Sequence, residues 1–203
     1  MADMFSADGK AWQQFSSTPE NPYTMPEIMD APLTEKGRQQ AIQLQPRVEA
    51  LEHKPELVVL SPNCRALQTG LLAFQSLIGA VPFVAHEMCR EETRVHTCDQ
   101  RRPVANQAVE FPQIDFSLLT SDSDPLYRDD VRESKLQVGE RIYAFLEWLS
   151  ERPERHVAVN SHSGWLLCLF RGVVEDSCDP TLKEWFQTGE MRSVKLEFQK
   201  NDQ

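Results

Sequence analysis

The chain has 203 residues, of which 40% are hydrophobic and 26% charged, the proportions of an ordinary globular protein with a core of its own. A net charge of −10 argues against nucleic acid or an anionic membrane as the main partner, yet leaves room for a small anion held by local arginines. No run approaches the length of a membrane-spanning helix, Met1-Ala-Asp-Met-Phe-Ser6 lacks a signal peptide's basic and apolar regions, and the five cysteines show no paired framework, so the expected setting is a reducing cytoplasm.

Residues 1–30 are polar, rich in Ser, Pro, Asn and Gln, and read as an irregular loop or tail. Order is expected from 31 to 203. Thr34 is a suitable N-cap for a helix to about Glu52, with Ala41, Leu44, Val48 and Leu51 on one face and Pro46 dividing it. Leu57-Val-Val-Leu60 is wholly apolar, as a buried parallel strand would be, and Ser61-Pro62 ends it. Leu67, Leu71, Phe74 and Ile78 mark a second helix, and Val81 to Ala85 a second strand.

Residues 103–135 alternate turn residues with isolated apolar positions and read as an irregular insertion roofing a pocket. Helical spacing returns at Val138, Ile142, Phe145, Leu146 and Leu149. A strand at His156–Val159 follows, then the polar turn Asn160-Ser-His-Ser-Gly164 and an apolar helix from Trp165 to Phe170. A short helix near Thr181–Phe186 and an alternating strand at 193–198 complete the chain. Strands alternating with helices give a three-layer α/β sandwich around a mainly parallel sheet.

Three polar clusters lie just past predicted strands, where open α/β sheets build their sites. In the first, Arg65 falls in the opening turn of the second helix, placed either for an anion or simply on the surface. In the second, Glu87-Met-Cys-Arg-Glu-Glu92, a carboxyl group leaving a strand end is either a proton donor or part of a solvated charge run. The third holds His162, which either has no task or donates to an anion near neutral pH. Cys89, His96 and Cys98 miss the Cys-x-x-Cys pairs of structural zinc sites, so neither metal nor cofactor is expected.

Together, Pro32-Leu-Thr-Glu-Lys-Gly-Arg-Gln-Gln-Ala41, Leu57-Val-Val-Leu-Ser-Pro-Asn-Cys-Arg-Ala-Leu-Gln-Thr69 and Val159-Asn-Ser-His-Ser-Gly164 resemble the histidine phosphatase superfamily, the phosphoglycerate mutase-like proteins. Cys89-Arg-Glu91, Cys98-Asp-Gln-Arg-Arg102 and Phe111-Pro-Gln-Ile-Asp-Phe-Ser117 are similar to a eukaryotic branch of that family. The resemblance implies a phosphoglycerate mutase-like fold and hydrolysis of phosphate esters through a phosphohistidine. It makes His162 and Arg65 the phosphate-contacting pair, Glu91 or Glu87 the acid–base carboxyl, and Ser163 a further donor. The implied partner is a small phosphorylated substrate or free phosphate.

The family's nucleophile lies in an Arg-His-Gly motif after a first, central strand, and this sequence has no Arg-His-Gly. None of its five histidines can take that place by sequence order. The expectation is a truncated, inactive form with the first strand missing and strand edges left unpaired, or else a non-catalytic phosphate-binding or protein-interaction member of the same fold.

Overall fold

Leu57-Val-Val-Leu60 is the strand around which the other layers pack. A computed structural model of the chain describes residues 26–93, 96–130, 133–174 and 179–198; of the tail expected at 1–30, residues 1–25 lie outside them, and Pro26–Ile28 form a short 3-10 helix. Within them β1 (Leu57–Leu60) pairs in parallel with β2 (Phe83–Ala85) on one side and β3 (Val157–Asn160) on the other. Val58 faces Phe83 and Ala158, and Leu60 faces Ala85 and Asn160, so the carboxyl ends of the strands lie side by side.

All four β1 side chains are buried because both faces of the strand are covered. Val58 and Leu60 pack into a core with Leu44, Val48 and Leu67, while Leu57 and Val59 pack with Val138, Ile142, Phe145 and Trp165. On the first face lie α1 (Glu35–Ile42), α2 (Gln45–Glu49) and α3 (Cys64–Ala73). On the second lie α5 (Lys135–Ser150) and α6 (Ser163–Cys168); α4 (Val104–Glu110) comes between α3 and α5 in sequence. The three-layer α/β sandwich is therefore observed.

Local signals set most boundaries. The Thr34 hydroxyl accepts the Gly37 N–H at 3.2 Å and starts α1, and Pro46 sits in the first turn of α2, where its missing N–H leaves no bond broken. A capping box of Ser134 and Gln137 starts α5. Gly70 lets α3 lie against β1: a Cβ there would meet Leu60 Cδ2 at 2.2 Å. Gly70→Ala is expected to cost about 1–3 kcal/mol of stability through overpacking. Urea denaturation would read this, and a loss within error would contradict the packing.

Two expectations are corrected. The segment 103–135 is not merely irregular: it carries α4, and its Phe111, Ile114, Phe116 and Leu119 enter the first core. Asp115 also exchanges backbone hydrogen bonds with Phe83 and Ala85 at 2.8 and 2.9 Å, covering the outer edge of β2. The second correction is the final alternating run, since residues 193–198 join no strand. Alternation describes a side-chain pattern, but a strand needs a backbone partner. The edge of β3 away from β1 also has no strand beside it among the described residues, and all four β3 residues are half-exposed.

Candidate functional site

The first site residue follows β1 directly. Ser61 is fully buried, and its Oγ lies 2.7 Å from His162 Nε2, joining the ends of β1 and β3 across 101 residues. His162 is the last extended residue before α6 and is itself buried. Burial, then the positive charge of Arg65, holds its pKa well below the usual histidine value, so it is a neutral imidazole at neutral pH. Ser163 follows as the first residue of α6 and is half-buried.

Arg65 sits in the first turn of α3, with only 3% of its surface exposed. Its terminal nitrogens donate to the Cys98 carbonyl at 2.6 Å and to Asp99 Oδ1 at 2.8 Å. Its Nε is buried and has no hydrogen-bond partner among the described residues. Asn63 Nδ2 donates to the Asp99 carbonyl at 3.3 Å, fastening the turn at Thr97–Asp99 to the end of β1.

Glu91 comes from the loop after β2. Side chains from the second face hold that loop by its carbonyls: Trp165 Nε1 bonds Met88, Ser161 Oγ bonds Cys89, and Arg141 bonds Met88 and Glu91. The Glu91 carboxyl accepts the Glu92 N–H at 2.9 Å and the Gly164 N–H. A Cβ at position 164 would stand 2.6 Å from Glu91 Oε1, so only glycine lets the carboxyl reach the start of α6. Burial first, and the charge of Asp99 second, push its pKa up to about 7. At neutral pH Glu91 is thus able to carry a proton that it can give away.

Glu87 is used differently. It accepts from Arg90 Nη1 at 2.7 Å and from Arg101 Nε at 3.1 Å, and Arg90 also binds Asp124 at 2.5 and 2.6 Å. Arg101 donates onward to the carbonyls of Ser121, Asp122 and Ser123. Glu87 therefore ties the loop after β2 to the segment after α4.

Two residues of this arrangement gave no local signal in the sequence. Asp30 has φ +45°, unusual for a residue with a side chain, and is almost fully buried. Its carboxylate accepts from the Cys64 N–H at 2.7 Å, from Gln107 at 3.0 Å and from Arg102 at 3.2 Å. Asp30 thus occupies the start of α3 and belongs to the folded domain. Asp99 is the other. As for the metal alternative, Cys89 Sγ bonds the His86 carbonyl, and among the described residues no group of three or more His, Cys, Asp or Glu could hold an ion.

A neutral imidazole, a buried guanidinium with a free donor and a protonatable carboxyl thus converge at the ends of three parallel strands. The family model of the histidine phosphatase superfamily (branch 1) matches residues 21–203. The chain belongs to that superfamily. Two relatives from Arabidopsis thaliana are similar over most of it. A phosphoglycerate mutase-like protein is 35% identical over 190 residues, covering 80% of this chain and 70% of its own. Phosphoglycerate mutase-like protein 1 is 32% identical over 204 residues, covering 85% and 72%. Among solved structures, a mycobacterial glucosyl-3-phosphoglycerate phosphatase is similar with 23% identity and a TM-score of 0.45, covering 70% of this chain and 68% of that one. No helix among the described residues of this superfamily member is long and apolar enough to cross a membrane.

Proposed function

We propose that Arg65, His162 and Ser163 form a pocket for the phosphoryl group of a small phosphorylated compound, or for free phosphate, and that these 203 residues hold it without transferring it. The observation that carries the reading is Arg65, whose buried Nε lacks a partner among the described residues while its other two nitrogens are fixed. A buried unsatisfied donor costs about 1–3 kcal/mol, which an oxyanion against that nitrogen would recover. Neutral His162 offers one ring N–H, and its Nε2 lies 2.7 Å from Ser61 Oγ.

Transfer in this family needs an imidazole to attack phosphorus. The sequence contains no Arg-His-Gly, and among the other histidines His53, His86 and His156 are engaged away from the pocket. His53 and His156 stack on each other with ring centroids 4.5 Å apart, just before the first residues of β1 and β3. His86 packs on Phe145 and Trp148, and burial lowers its pKa to about 4. His96 lies 3.8 Å from Asp99. The lack of that motif in these 203 residues supports binding without turnover.

Hydrolysis is the second reading. Glu91 favours it, because a carboxyl poised near pH 7 suits protonation of a leaving oxygen. The two readings part in one experiment: heat the protein with and without inorganic phosphate, and offer it a generic aryl phosphate ester. A rise in Tm with phosphate and no release of the aryl alcohol is the expected outcome. Steady release that disappears in His162→Ala would replace binding with catalysis.

A further inference from the structure

Around this pocket the described guanidinium groups are already matched by carboxylates. Arg65 pairs with Asp99 at 2.8 Å, both side chains almost fully buried. Arg90 pairs with Glu87 and Asp124, Arg101 with Glu87, Arg102 with Asp30, and Arg141 with Glu133. An oxyanion reaching Arg65 Nε therefore meets an ion pair of no net charge rather than a bare cation. The Glu91 carboxyl is close enough for Asp99 and Arg65 both to act on its charge. With Glu91 ionised, an arriving dianion would be a third negative group beside Asp99 and Glu91, both of which already act on Arg65. Buried like charges at such distances repel strongly, and the cheapest relief is a proton.

We propose that Asp99 is a resident counter-ion that sets the charge the pocket accepts, so that the oxyanion enters together with one proton and singly charged phosphate monoesters are the favoured ligands. The proposal rests on the phosphate pocket described above. The proton comes from solvent and stays either on Glu91 or on the ligand; no covalent bond changes. The groups facing Asp99 are Arg65 from α3, Arg90 through the Asp99 carbonyl, His96 and Cys98 from its own turn, Glu91 from the loop after β2, and Tyr127. Lys135 of α5 also acts on Glu91, while Arg90 and Arg141 act on His162. Burial first raises the Glu91 pKa, to about 7, and the second cause, the charge of Asp99, agrees with a negative group resident in the site.

Sulfate tests this, because its own charge does not change across the neutral range. Calorimetric titration of the full chain at about pH 6 and about pH 8 is expected to show affinity falling about tenfold or more, with up to one proton taken up per sulfate bound. Asp99→Asn keeps an oxygen for Arg65 but removes the charge. It is expected to bind sulfate at least about tenfold more tightly at the higher pH. Equal or weaker binding by Asp99→Asn would overturn the proposal, since Asp99 would then serve only to position Arg65. If that variant does not fold, the pH series and proton count of the unaltered protein decide: affinity unchanged with pH and no proton uptake overturn the counter-ion role alone. If the unaltered protein binds neither sulfate nor phosphate at either pH, the pocket itself is refuted and the counter-ion role falls with it.

Discussion

Arg90→Ala is expected to destabilise the fold by about 3–5 kcal/mol, the usual cost of removing one partner from a buried ion network. Arg90 is fully enclosed, and its two terminal nitrogens bind Glu87, Asp124 and the Asp99 carbonyl. Without it, Asp124 keeps backbone N–H donors such as that of Arg101 but loses its charge partner, and Glu87 is left to Arg101. Burial alone would raise the pKa of Asp124, yet the hydrogen bond and charge of Arg90, together with the Arg101 and Leu126 N–H groups, outweigh this and hold it below the usual range. Its contribution is therefore present above the ordinary carboxylate range and lost as pH falls through the lowered folded value. Against a total stability of about 5–15 kcal/mol, the loss should leave a population that unfolds in low urea. Arg90→Lys should recover little, because one ammonium cannot form the two-nitrogen bond to Asp124. A loss below about 1 kcal/mol in Arg90→Ala would contradict the network's role.

The second large effect concerns pH. Glu91 has a folded pKa of about 7 against an ordinary value of 4.5. A raised value means that the folded state holds the proton more tightly than the unfolded one. The associated stability is fully present below about pH 4.5 and is lost as pH rises through about 7. The difference amounts to about 3 kcal/mol. His162 works in the opposite sense, since its lowered pKa costs stability as pH falls. Overall stability is thus a poor readout, and the comparison with Glu91→Gln isolates one group. That variant should exceed the unaltered protein in stability at about pH 8 and converge on it near pH 4.5. A difference that does not change with pH would mean that Glu91 is solvated and ionised throughout. The same proton links stability to chemistry, because a carboxyl neutral near pH 7 is the form that could donate to a leaving oxygen.

The sequence reading located the strands because β1 is apolar at every position, as a strand covered on both faces must be. It located the first helix boundaries because Thr34 and Pro46 act through their immediate neighbours. It failed at 193–198, where alternating Val194, Leu196 and Phe198 looked like a strand, but Val194 and Phe198 are substantially exposed. A side-chain pattern carries no information about whether a backbone partner is present. At the site, His162 and Arg65 were legible through the family resemblance, each standing at a strand or helix end. Ser61, Asp30 and Asp99 were not singled out, because their partners lie 101, 34 and 34 residues away. The choice between Glu87 and Glu91 was equally out of reach. Both leave the same strand, and only the fold sends one to Arg90 and Arg101 and the other to Gly164.

The pocket reading makes one demand above the others: phosphate must bind at the meeting point of α3 and the turn before α6. Titrating inorganic phosphate into the unaltered protein, Arg65→Ala and His162→Ala, with Tm and heat of binding recorded for each, examines that demand directly. The unaltered protein should bind phosphate and gain stability as its concentration rises. Arg65→Ala should lose both effects, and His162→Ala should weaken them by about tenfold or more. Phosphate binding of equal strength in all three proteins would place the anion elsewhere and contradict the account.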